Sequence, residues 1–330
     1  MKRILSILAL FSTLILLGCI AKQSGSDAPL TTSKTWHQVN ASANWEAREK
    51  LAVVTFNNKI WVIGGSSPTT PGMTDVWSSP DGITWTKVAV DSSTGGRFGH
   101  EAVAFNGEMY IMGGLVGGST FKNDVWASSD GITWTQKTSN AGWVPRTNFA
   151  AVVHNNLVWV MGGVNASNQC LSDIWNSSDG ITWTLVTANA VWGARSGLRV
   201  FEFNNSMILH SGRTTTNMIP LSVKADVWSS NNGTSWVQLV SEGPYVCRSY
   251  HGAGVADNMM FFMGGTNAVG AYIQDTGFSS DGSNWGMVTV ASPFPDAKKF
   301  MGSAGFAGKF WVIGGINQNS LYQNDVWAFY

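Results

Sequence analysis

Six cations and six aspartates stand at matching places along this chain. The cations are Arg48, Arg97, Arg146, Arg195, Arg248 and Lys298; the aspartates are Asp75, Asp124, Asp173, Asp226, Asp275 and Asp325. Such a set supports one of two chemistries. Each guanidinium can grip its own carboxylate through paired hydrogen bonds, or the cations can stay open and take anionic ligands. Uncompensated, six like charges around one mouth repel each other. Three residues before the cation stand Trp45, Trp143, Trp192 and Tyr245. Aromatic faces beside arginines suit either packing under a loop or an exposed platform for sugar rings or a protein partner. These ten cations and aromatics form the expected ligand-binding rim, with structural pairing as its alternative.

Departures from the pattern are the next candidates. Four residues after the cation the chain carries Ala52, Glu101, Ala150, Arg199, Gly252 and Gly302. Small side chains suit a crowded position, so Glu101 and Arg199 stand out, either as a mutual salt bridge or as a polar ligand site. His100 and His251 share the preceding position, where a pore-lining hydrogen-bonding role is expected. Glu101, His100 and His251 are therefore the catalytic candidates for moving protons, with Arg199 the catalytic candidate for holding a carboxylate and Glu202 a further acid in reach. Two histidines across a channel are too few ligands for a metal. No metal and no cofactor is expected.

The elements that must position these residues are legible from a repeat. Diglycines begin at Gly64, Gly113, Gly162, Gly264 and Gly314, with Ser211-Gly212 as an imperfect copy, in steps of 49, 49, 49, 53 and 50 residues. Before each runs an apolar stretch such as Ile60–Ile63, apolar at every position and so covered on both faces. A further strand carries Asp75-Val76-Trp77 or its equivalent. Then a turn such as Asp81-Gly82 leads to Trp85, Trp134, Trp183, Trp236 or Trp285. Each unit is thus four antiparallel strands, a to d. The sixth unit stops at Tyr330 within strand c. Trp36 stands 12 residues before Arg48, as Trp85 does before Arg97, so residues 35–39 are expected to supply the missing strand. The fold expected is all-β: a six-bladed β-propeller over residues 36–330, its ring closed by the N-terminal strand, with cations, diglycines and aspartates on one rim. Cys170 and Cys247 fall in units that are not neighbours, so no disulfide joins them.

A period near 50 with this glycine and tryptophan spacing resembles the kelch repeat. The resemblance covers residues 36–330 and implies the propeller fold; its members include galactose oxidase, the bacterial sialic acid mutarotase and non-catalytic adaptor domains, whose arginines at the strand-a position hold acidic ligands. Fold does not choose among them. Galactose oxidase implies two Tyr, two His and a Cys around copper, and Cys247, Tyr250, His251 and His100 offer no second Tyr. The turn Ser79–Trp85 is similar to the sialidase Asp-box, one residue shorter, which is a structural turn in that family.

Lys2 and Arg3, the apolar run Ile4–Leu17 and then Leu16-Leu17-Gly18-Cys19 resemble a bacterial lipoprotein signal. The resemblance implies a signal peptide over 1–18, lipidation of Cys19 and a flexible tether over 19–35. Ile20 rather than Asp follows the cysteine, which implies the outer membrane or cell surface. Twenty basic and 20 acidic residues leave no net charge, which argues against nucleic acid. The expectation is a monomeric, lipid-anchored binding module for a carbohydrate, an acidic small molecule or a protein, touching the membrane through its lipid alone. The alternative is a sugar-active isomerase resembling the mutarotase.

Overall fold

The structure, a computed structural model, describes residues 32–90, 93–214, 222–288 and 296–330. Among the described residues, five four-stranded antiparallel sheets follow one another in chain order, and a five-stranded sixth takes in the N-terminal strand and the short strand Lys298–Lys299. Their innermost strands are Ala52–Phe56, Glu101–Phe105, Ala150–His154, Arg199–Phe203, Gly252–Ala256 and Gly302–Phe306. Each packs against the next, and the sixth returns to the first, which closes the ring. Close approach explains the small residues there: a Cβ on Gly302 would stand 2.2 Å from a Val53 methyl, and one on Gly305 would stand 1.7 Å from the Val255 carbonyl oxygen.

Closure follows the expected route. Trp36–Asn40 is the outer strand of blade 6, pairing antiparallel with Tyr322–Phe329 so that Trp36 faces Phe329. Thr35 and Tyr330 exchange both backbone hydrogen bonds, at 3.0 and 3.2 Å. The buried indole of Trp36 donates to Thr276 Oγ1 of blade 5 at 2.9 Å. Apolar clusters fill the spaces between blades. Where blade 5 has Gly277 in place of the strand-c tryptophan, a Cβ would meet Phe262 at 2.1 Å, so the Phe262 ring occupies that space.

The strand-c to strand-d turns are built alike in five blades. Ser79 Oγ accepts the Gly82 amide at 2.7 Å, and Asp81 Oδ1 accepts the amides of Ile83 and Thr84 at 2.8 Å. In blade 2 the Thr133 and Ile132 amides hold the equivalent Asp130 carboxyl below the usual range. These acids are committed to turns. Cys170 is not disulfide-bonded; its thiol lies 3.5 Å from Ser196 Oγ. Residues 1–31, including Cys19, the signal segment and most of the tether, lie outside the described residues.

Candidate functional site

The cationic rim folds inward. Arg48, Arg97, Arg146, Arg195, Arg248 and Lys298 are all buried. Each holds the aspartate of its own blade: Arg48 meets Asp75 at 2.6 and 2.8 Å, Arg146 meets Asp173 at 2.7 and 2.6 Å, and Arg248 meets Asp275 at 2.5 and 2.8 Å. Arg97 with Asp124, Arg195 with Asp226 and Lys298 with Asp325 repeat the pairing. Each arginine also donates to the carbonyl before the second glycine, as Arg48 does to Gly64 at 2.9 Å. In every blade but the fifth, the strand-c tryptophan completes the unit by donating to the aspartate, at 2.7 Å from Trp77 to Asp75.

The rim aromatics are buried too. Trp45, Trp143, Trp192 and Tyr245 lie 5.4–5.7 Å from the cation of their own unit. Trp45, Trp143 and Trp192 meet Trp85, Trp183 and Trp236 edge to face at 6.0–6.3 Å. The expectation of an open cationic and aromatic platform at these ten positions is therefore corrected. Carboxylates and carbonyls of the same chain hold the cations, although the Nε of Arg195 and of Arg248 is buried without a partner, and the aromatic faces are packed.

Two rings of hydrogen bonds stitch this rim. In the first, the second glycine of each blade donates to the carbonyl of the next blade's cation, from Gly65 to Arg97 at 2.9 Å around to Gly315 and Arg48 at 2.9 Å. In the second, residues two beyond each cation bond in a closed circle. Gly99 donates to Lys50, Asn148 to Gly99, Gly197 to Asn148, Tyr250 to Gly197, Phe300 to Tyr250 and Lys50 to Phe300, all at 2.8–3.1 Å. All six have positive φ, from 53 to 63°. Glycine adopts this freely and asparagine tolerates it, but Lys50, Tyr250 and Phe300 are strained by roughly 1–2 kcal/mol each. The collar is missing from the sequence reading, although Gly99, Asn148 and Gly197 at one repeat position signal it.

Outside the collar lies a cavity of about 350 Å³ lined by Lys50, Asn148, Arg213, Tyr250, Asn267, Lys299 and Phe300, among others. Lys50 and Lys299 flank the Phe300 ring at 4.6 and 5.3 Å, and the Arg213 guanidinium lies 5.0 Å from the Tyr250 ring. Arg213 Nε is buried without a hydrogen-bond partner. No carboxylate lines this mouth among the described residues; Glu49, paired with Lys50 at 3.1 Å, is nearby. Burial lowers the Lys299 ammonium's pKa; Glu49 opposes the shift and Arg213 adds to it.

On the other side of the collar the channel is closed by Arg199. Its Nε donates to the His251 carbonyl at 2.7 Å and its Nη2 to the Met301 carbonyl at 3.3 Å, while Nη1 meets Glu101 Oε1 at 3.3 Å. Sequence singled out this pair, and the structure brings it together. Burial pushes the Glu101 carboxyl up to about 7, with Arg199 pulling the other way. The two histidines do not line the channel, which corrects that expectation. Buried His251 turns between blades 4 and 5, where its Nε2 lies 2.9 Å from His210 Nδ1. Buried His100 has no hydrogen-bond partner at either ring nitrogen. Burial and then Arg97 push its pKa down to about 3. His210 and His251 are likewise held neutral, chiefly by burial.

A propeller of stacked four-stranded blades with one cationic mouth is a scaffold for binding or for catalysis at its centre. The model of the KLHDC2/KLHL20/DRC7 Kelch-repeats domain matches residues 27–189. The solved structure described as "Structure of YjhT" has a TM-score of 0.72 and 15% identity, covering 87% of this chain and 96% of that one. At that identity the likeness concerns fold alone. No curated protein matches the chain. The kelch-repeat match over residues 27–189 and the fold likeness both agree with the β-propeller described above.

Proposed function

We propose that this protein is a lipid-anchored binding module of the cell envelope whose mouth takes an acidic carbohydrate. The observation that carries the reading is the mouth cavity itself. Lys50, Arg213 and Lys299 converge there with no lining carboxylate among the described residues, beside the ring faces of Tyr250 and Phe300 and the amides of Asn148 and Asn267. Cations meet a carboxylate, aromatic faces carry the apolar side of a sugar ring, and amides hydrogen-bond its hydroxyls. Strained Tyr250 and Phe300 fit a ligand clamp, because backbone strain concentrates at such sites.

The strand directions support the anchoring part. Strand d of blade 6 starts at Trp36 beside Phe329, at the rim opposite the aspartates. Lys34 meets Asp257, in the strand-a to strand-b turn of blade 5, at 2.8 Å. The described chain therefore enters the propeller on the face away from the mouth, which is compatible with an anchor upstream of it and an accessible cationic cavity.

A glycan array of acidic and neutral sugars, followed by calorimetry on any hit, tests this. We expect Arg213→Ala and Lys299→Ala each to weaken an acidic hit about 10-fold or more, the loss of one hydrogen bond to a charged group. Affinity unchanged in both variants removes the mouth from the account. Lipidation is read separately, by the mass of the mature N-terminus with and without Cys19→Ser.

A second reading, a sugar isomerase like the mutarotase, is favoured by one observation: Glu101 is held near neutrality beside Arg199. Anomer exchange followed by NMR decides it. Exchange accelerated by the wild type and lost in Glu101→Gln would overturn a purely binding role.

A further inference from the structure

We propose that the inner channel is a second ligand site, separate from the mouth, and that it takes a small zwitterion, a free α-amino acid with a short side chain. The channel cavity measures about 350 Å³ and has Glu101 and Arg199 at its closed end. It is lined by strands from all six blades. Strand a is the innermost strand of each sheet, so one edge of it has no strand partner within its own blade. Backbone N–H and C=O groups on that edge face the axis and suit a small polar guest. Ser303 already uses two such groups of blade 5, accepting the Ala253 amide at 3.0 Å and donating to its carbonyl at 2.9 Å.

The closed end carries adjacent opposite charges that are only partly used. A guanidinium has five N–H donors. Arg199 directs one to each of His251, Met301 and Glu101, which leaves two. Glu101 meets Arg199 through Oε1, so Oε2 remains for a donor. Both side chains keep solvent contact, at 24% and 22% exposure. An α-amino acid brings a carboxylate for the two remaining Arg199 donors and an ammonium for Glu101 Oε2, so it can use both charges at once. Isolated anions meet the Glu101 charge, and isolated cations meet Arg199. Wall residues such as Val53, Val103, Ala151 and Gly254 leave room for a small side chain.

Occupancy depends on Glu101 being ionised. The charged neighbours are Arg199 at the closed end and Glu202 on the same strand. The innermost strands of blades 1, 5 and 6 carry no titratable side chain, and that of blade 3 carries only His154 at its far end. With the Glu101 carboxyl near 7, affinity is expected to rise about 10-fold from pH 6 to pH 8.

The test uses the full chain, labelled at glycine, titrated by NMR with glycine, alanine and serine up to tens of millimolar. Saturable shifts at Gly254 and Gly305 in the channel, with Gly270 at the mouth unmoved, are the expected result. Glu101→Gln and Arg199→Gln should each weaken binding about 10-fold or more. If these variants fail to fold, the wild type still decides: the methyl ester, lacking a carboxylate, and the hydroxy acid, lacking an ammonium, should both fail to bind. Absence of saturable shifts, shifts confined to Gly270, or equal binding of ester and hydroxy acid would each overturn the proposal. A mouth variant such as Lys299→Ala should leave it unchanged, so this site and the mouth stand or fall separately.

Discussion

Arg146→Ala should lower the unfolding free energy by about 3–5 kcal/mol, the cost of breaking a buried ion pair from one side. Arg146 is fully buried. It meets Asp173 twice and donates to the carbonyls of Gly162 and Val144 at 2.9 and 3.0 Å. Truncation leaves a largely buried carboxylate held by the Trp175 indole alone, at 2.8 Å, and strips two carbonyls of their donor. Adding Asp173→Asn should return part of the loss, since the stranded charge is then gone. Lys137→Ala, which breaks the half-exposed pair with Glu108, should cost less than about 1 kcal/mol. Urea midpoints at constant slope measure all three. Stability within about 1 kcal/mol of wild type for Arg146→Ala would mean the rim cations are not structural and would reopen them as ligand contacts.

That experiment addresses what sequence left undecided. The blade plan was legible because each unit repeats its signals locally. Diglycines mark strand ends, Asp-Gly marks turns, and the distance from Trp36 to Arg48 matches that from Trp85 to Arg97. Whether the cations were open or paired was not legible, since it depends on side-chain direction and burial. The constant spacing of 27 residues from Arg48 to Asp75 and from Arg146 to Asp173 fits a pair and fits an open rim equally well. The mouth was hidden for another reason. Arg213 and Lys299 lie outside the repeat positions, and Lys50, Tyr250 and Phe300 disguise a left-handed site at which glycine and asparagine would be expected. His210 was legible and overlooked: it replaces the apolar residue that precedes the diglycine elsewhere, as at Met112, Met161 and Met263.

Acidification should destabilise the protein well before its carboxylates titrate. His100, His210 and His251 are buried and held neutral, with His100 near 3 and the other two well below 6.5. In the unfolded chain each takes a proton as pH falls through about 6.5. Near pH 5.5 the unfolded state therefore binds about three more protons at these sites. Glu101 acts in the opposite sense. Burial raises its native carboxyl to about 7, against about 4.5 in a free glutamate, so the native state binds one more proton there. The net difference of about two gives a slope of roughly 2.7 kcal/mol per pH unit, with stability falling as pH falls from about 6.5 to 4.5. Glu101→Gln removes the opposing group and should steepen the slope to roughly 4 kcal/mol per unit, while His251→Gln should flatten it by about 1.4. Urea unfolding at several pH values across this window measures it. A stability curve that stays flat from pH 6.5 to 5 would mean that the histidines accept protons inside the fold, and the buried, partnerless placement of His100 would then be wrong.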